Sequence, residues 1–98
     1  MTLSAISHYR GGALDEVVSL AQTLKAKYLK YGVGYRLSRF QTGPNENDWF
    51  VTVTYADAVA YEKAQALFLH NQELQHVFVE LARFATRISR EIVIDLDL

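Results

Sequence analysis

Two polar residues in this 98-residue chain have types and positions that could do chemistry in a pocket: His8 and Arg36. His8 lies near the end of an alternating segment, and an imidazole titrates near neutral pH, so it is a candidate general base or ligand-orienting group. The plainer reading is a part-buried histidine bonded to a neighbour. Arg36 falls on the same assumed face of a later strand, where its fork of donors could bind a carboxylate or a phenolate. It could equally pair with an acid such as Glu91. Thr52 and Thr54 could hold an oxygenated ligand on that face, although strand threonines are more often structural. These assignments make His8 and Arg36 the candidate catalytic pair. Ile6, Ser38, Phe40, Phe50, Thr52 and Thr54 are then the expected cavity lining.

Other chemistries find little support. The sequence has no cysteine, which excludes disulfides, thiolate nucleophiles and zinc–thiolate centres. His70 and His76 are not spaced i, i+4 and have no acidic triad beside them, so no metal site is expected. Glycine-rich phosphate loops and a nucleophile elbow are also lacking, and no cofactor is expected. Trp49, Tyr55, Tyr35 and Tyr9 alternate onto the opposite strand face, where core packing accounts for them. Net charge is -1 and the isoelectric point is about 6.3, which gives no basic field for nucleic acid. Arg83, Arg87 and Arg90 cluster, but Glu80, Glu91 and Asp95 lie among them, as on a solvated, charge-balanced surface. The N-terminus lacks a signal-peptide pattern, and no apolar run is long enough to cross a membrane. The expectation is a cytoplasmic protein with neither nucleic-acid nor membrane partners.

The elements that must position these residues read in the order β-α-β-β-α-β within a single domain, residues 1–98. Leu3–Arg10 alternates as a strand, and Gly11-Gly12 ends it. Leu14, Val17, Val18, Ala21, Leu24 and Tyr28 recur at helical spacing within Ala13–Tyr31, and Gly32 is the helix stop. Val33–Gln41 and Trp49–Tyr55 form a hairpin around a turn-rich loop containing Pro44. Asp57 is placed to cap a second helical region with Val59, Ala60, Ala64, Leu67 and Phe68 as its stripe. Asn71 breaks and recaps that region, and Leu74, Val77, Phe78, Leu81 and Ala82 make the next stripe. The last strand, Arg87–Leu96, sets Ile88, Arg90, Ile92 and Ile94 against Ser89, Glu91, Val93 and Asp95.

That order specifies a ferredoxin-like α+β unit, a four-stranded antiparallel sheet with both helical regions on one face. The other face keeps Ile6, Phe40 and Phe50 among polar residues. An uncovered apolar face marks a contact surface, and a second copy packed sheet to sheet is the economical cover. The strand ending His8-Tyr9-Arg10-Gly11-Gly12, together with Trp49-Phe50-Val51-Thr52-Val53-Thr54-Tyr55-Ala56-Asp57 leading into an alanine-rich helix, resembles the dimeric α+β barrel superfamily. The nearest likeness is to NIPSNAP-type and antibiotic-biosynthesis-monooxygenase-type domains. The resemblance implies a homodimer with a pocket in each half. It also implies activities such as cofactor-independent oxygenation of polyphenols, haem degradation, isomerisation or decarboxylation. Two readings follow from it: a cofactor-independent monooxygenase acting on a small aromatic or polyketide-like substrate, and a non-catalytic NIPSNAP-like ligand-binding or stress-associated dimer. A third is an interaction module in a larger assembly.

Overall fold

A computed structural model describes residues 1–96 and residue 98. The elements are β1 (Leu3–Arg10), α1 (Leu14–Leu29), β2 (Gly34–Arg39), β3 (Trp49–Tyr55), α2 (Ala58–Leu69), α3 (Gln72–Phe84) and β4 (Thr86–Ile94). The strands make one antiparallel sheet in the order β2-β3-β1-β4. No helix of the described residues is long and apolar enough to cross a membrane.

Local chemistry explains most of the boundaries. α1 begins with Asp15 and Glu16 in its first turn, complementing the helix dipole. Past its end, Gly32 takes a φ of 72°, a left-handed conformation that costs glycine no Cβ clash. Gly12 is constrained differently: its φ is 88°, and an added Cβ would lie 2.8 Å from the Phe84 ring. The Asp57 carboxylate accepts a bond from the Ala60 N–H at 2.8 Å, opening α2. The second helical region is two helices, as the Asn71 break implies. The Asn71 side chain accepts from the Leu74 N–H at 3.1 Å and so caps α3. Gln75 donates at 3.0 Å to the Phe68 carbonyl in the last turn of α2, which also accepts from the Asn71 N–H. The central hairpin extends past its strands, with the Phe40 N–H bonded to the Asp48 carbonyl at 2.9 Å.

The core lies between sheet and helices. Leu3, Ala5, Trp49, Val51, Val53 and Tyr55 present one strand face to it, and Val17, Leu24, Leu74, Val77 and Leu81 meet them from the helices. The strand parity read from the sequence is the one observed. The helix stripes are narrower than the sequence pattern suggests. Leu14, Val18, Val59 and Leu67 are exposed, because α1 and α2 each lean on the sheet along one edge of the apolar stripe.

The last strand departs from simple alternation. Its pairing with β1 runs Ser7 to Arg90 and His8 to Ser89, then slips so that Tyr9 meets Arg87. Ile88 is the extra residue of a β-bulge, which re-aims the side chains on either side of it. Arg87 therefore shares the helix-side face with Arg90, although a regular strand would put residues three apart on opposite faces.

A candidate ligand cavity on the helix side of the sheet

The sheet and its helices do not meet everywhere. Ala5 and Ser7 are short side chains on β1, one of the two central strands, and they leave space beneath α2 and α3 that larger residues would fill. The result is a cavity of about 390 Å³, within the usual range for small-molecule sites. Its aromatic wall is built from Tyr9, Tyr28, Tyr35, Tyr55, Phe68 and Phe78. Tyr28 stacks on Tyr35 with ring centroids 5.3 Å apart, and the Phe68 ring meets Tyr28 edge-on at 4.7 Å. Tyr9 is backed by Trp49, stacked at 4.4 Å, and the Trp49 indole N–H donates to the Gly11 carbonyl at 2.8 Å. The polar part of the lining is Ser7, Gln65, Gln75, Arg87 and Arg90.

The phenols are held in their neutral form. Burial is the main cause of raised values at Tyr28 and Tyr35, and neighbouring tyrosines add to it. Tyr9 and Tyr55 are also raised by burial, with Arg87 opposing at Tyr9 and Arg90 opposing at Tyr55. All four therefore stay protonated at neutral pH, able to donate a hydrogen bond and not to act as bases. No histidine, carboxylate or lysine is among the residues lining this cavity.

The candidates proposed from sequence sit on the other side of the sheet. Ile6, Arg36, Phe50, Thr52 and Thr54 line a second, more open depression there, of about 530 Å³. His8, Ser38 and Phe40 lie on that face as well but line neither cavity. Arg36 and His8 thus share a face without meeting in one pocket. His8 is committed elsewhere, its Nε2 lying 2.8 Å from the Asp48 carboxylate. Arg10 donates to the same carboxylate at 3.0 and 3.2 Å. The Arg10 hydrogen bond is the largest influence holding Asp48 below the usual carboxylate range. Burial opposes it and His8 reinforces it. The His8 ring packs against Phe40 at 5.2 Å. His70 terminates α2, and His76 lies 4.0 Å from Glu80. No cluster of three metal-ligating side chains occurs among the described residues.

Sequence reasoning placed the tyrosines on the helix-facing side but read that side as solid core. Arg87 and Arg90, expected on a solvated surface, are indeed exposed, and they also line the rim of this cavity. Arg83 pairs with Glu80 at 3.0 Å. The signal that was available was the run of short residues Ala5 and Ser7 opposite a tyrosine-rich set. The bulge that puts Arg87 on the helix-side face left no mark in the local sequence.

Fold and cavity together define a ferredoxin-like α+β unit with a small-molecule-sized cavity between sheet and helices. Among solved structures, the chain is similar to SnoaB, a cofactor-independent oxygenase from Streptomyces nogalater. A point-mutant form of SnoaB superposes with a TM-score of 0.77 at 15% identity, covering 99% of this chain and 95% of that one. A second SnoaB structure gives 0.67 at 14% identity, with the same coverage. Rv0793 from Mycobacterium tuberculosis gives 0.71 at 11% identity over 100% of this chain and 98% of its own. At these identities the likeness is one of fold. No family model matches the sequence, and no curated protein matches it.

Proposed function

We propose that this chain is a small-molecule-binding protein of the dimeric α+β barrel type, acting as a cofactor-independent monooxygenase on a small aromatic or polyketide-like substrate. The observation that carries the reading is the aromatic cavity between sheet and helices. The fold likeness to SnoaB, an oxygenase of that description, supports it. A substrate with an acidic C–H can supply its own electrons. Loss of that proton to water at the cavity's open side leaves a carbanion that reduces oxygen; the peroxide that forms at the same carbon takes a proton back, and loss of water leaves a carbonyl. The balance is R₂CH₂ + O₂ → R₂C=O + H₂O, with no external reductant. The chain would contribute an aromatic cavity and neutral phenols able to donate hydrogen bonds, which stabilise negative charge as it develops on oxygen.

The test is oxygen consumption with a panel of hydroxylated fused-ring aromatics. Ser7→Phe, which fills the cavity from β1, is expected to abolish turnover while the fold is retained. If His8→Ala or Arg36→Ala abolishes turnover and Ser7→Phe does not, the reaction belongs to the outer face and the present placement is wrong. The lack of a histidine, carboxylate or lysine in the lining favours a second reading, a NIPSNAP-like dimer that holds its ligand without turnover. Ligands that raise the unfolding midpoint yet consume no oxygen would decide for it.

The same reading includes a homodimer. Ile6, Phe40 and Phe50 stay only half-buried on the face that no helix covers, and a second copy would remove them from water. Sedimentation at micromolar concentration should give twice the 11.2 kDa chain mass. A lone chain at that concentration refutes the barrel.

A further inference from the structure

We propose that the helix-side cavity selects anionic aromatic ligands: a fused-ring body lies among the tyrosines, and a carboxylate or similar oxyanion is held by Arg87 and Arg90. The inference rests on the reading that this cavity is the ligand site, and it adds the charge that the ligand must carry.

Three observations carry it. The first is placement. Arg90 pairs with Ser7 and Arg87 with Tyr9 across β1 and β4, so both arginines rise from the cavity side of neighbouring strand positions. The second is the lack of compensation. The ion pairs among the described residues engage Arg10, Lys27 and Arg83, and neither Arg87 nor Arg90 takes part in one. Glu91, the acid next to Arg90 in sequence, pairs with Ile6 and belongs to the opposite face of the sheet. No carboxylate lines the cavity. The third is orientation. Arg90 donates to the Tyr61 hydroxyl at 3.2 Å, and its guanidinium lies 6.0 Å from the Tyr61 ring centre. These contacts tether the exposed guanidinium beside Tyr61, whose ring meets Tyr55 of the cavity wall at 5.1 Å, without neutralising it.

The electrostatic effect reaches the aromatic wall. Arg87 opposes the burial that raises Tyr9, and Arg90 does the same at Tyr55. The site therefore joins an apolar chamber to two cations at one rim. A neutral hydrocarbon would leave that charge unanswered. A carboxylate matches the guanidinium fork with two parallel bonds. The volume of about 390 Å³ suits a body of roughly two or three fused rings.

The test compares three probes by calorimetric titration at fixed ionic strength: anthracene carboxylate, its neutral analogue hydroxymethylanthracene, and benzoate. The parent protein should bind anthracene carboxylate roughly tenfold to a hundredfold more tightly than the neutral analogue, from one or two charge-assisted bonds. Benzoate, an anion without the fused body, should bind more weakly than anthracene carboxylate. The double variant Arg87→Gln/Arg90→Gln should bring the two anthracenes to within about threefold while leaving the affinity for hydroxymethylanthracene as it was. Arg83→Gln, on α3 and paired with Glu80, should leave the discrimination intact. Equal binding of both anthracenes by the parent, or discrimination that survives the double variant, overturns the anion proposal while the cavity reading stands. If neither anthracene binds, the cavity reading fails and takes the proposal with it.

Discussion

Asn71 ties the start of α3 to the segment just past α1 through one side chain, and its replacement should show how much of the stability resides at that joint. Its carbonyl oxygen accepts from the Leu74 N–H at 3.1 Å, capping α3. Its amide donates to the Tyr31 hydroxyl just past the end of α1. Loss of an asparagine cap typically costs about 1 kcal/mol, and loss of a neutral hydrogen bond about 1 kcal/mol more. Asn71→Ala should therefore destabilise the protein by about 2 kcal/mol. For a domain of this length that lowers the unfolding midpoint by roughly 8–16 °C. Asn71→Asp keeps the cap acceptor and loses the donor, so it should lose only about half as much. Tyr31→Phe should match Asn71→Asp, and combining it with Asn71→Ala should add little, since both remove the same bond. The assay is thermal unfolding followed by circular dichroism at one fixed protein concentration, because any self-association shifts the midpoint with concentration. If Asn71→Ala unfolds within about 3 °C of the parent, or if Asn71→Asp is as damaging as Asn71→Ala, the two-bond account of the joint is wrong.

Three further expectations follow from particular residues. Asp48 is held below its ordinary carboxylate value chiefly by Arg10, so its contribution is present above about pH 4 and lost as pH falls through the lower folded-state value. A midpoint-versus-pH series should show a shallower acid limb for Asp48→Asn, and an unchanged limb would contradict the ion-pair account. Tyr35 is raised by burial, so the unfolded chain ionises first and stability should decline as pH rises past about 10. Tyr35→Phe should reduce that decline in alkaline unfolding measured by fluorescence. Leu74 is 0% exposed, and Leu74→Ala should cost about 2–5 kcal/mol in urea unfolding; a loss below that range would mean the core closes over the gap.

Much of the fold could be read from the chain because the deciding interactions are local. Asp57 and Asn71 announce helix starts by their own side chains, and the alternation from Trp49 to Tyr55 fixes which residues face the helices. The cavity was harder to read. Alternation says which way Tyr35 points, but not whether the helices come close enough to bury it in solid packing. That depends on the bulk of Ala5 and Ser7 measured against α2 and α3, which are distant in sequence. The cavity expected where Ile6, Phe40 and Phe50 needed cover corresponds to the open depression of about 530 Å³ on that face, while the less open one lies on the side the helices already cover. The histidine at position 8 was legible as a polar group in an odd place, but its partner Asp48 lies forty residues on and is brought to it only by the pairing of β1 with β3.

The slip at Ile88 makes the rim's charge depend on strand register and not only on residue identity. Were Ile88 to take the place opposite Tyr9, the guanidinium at position 87 would swing to the far side of the sheet with its chemistry unaltered. Deleting Ile88, by contrast, would close the bulge and leave Arg87 opposite Tyr9, so both guanidinium groups would stay at the chamber's mouth. Among proteins built on this plan, the register of the final strand then becomes as informative about ligand preference as substitutions in the chamber itself.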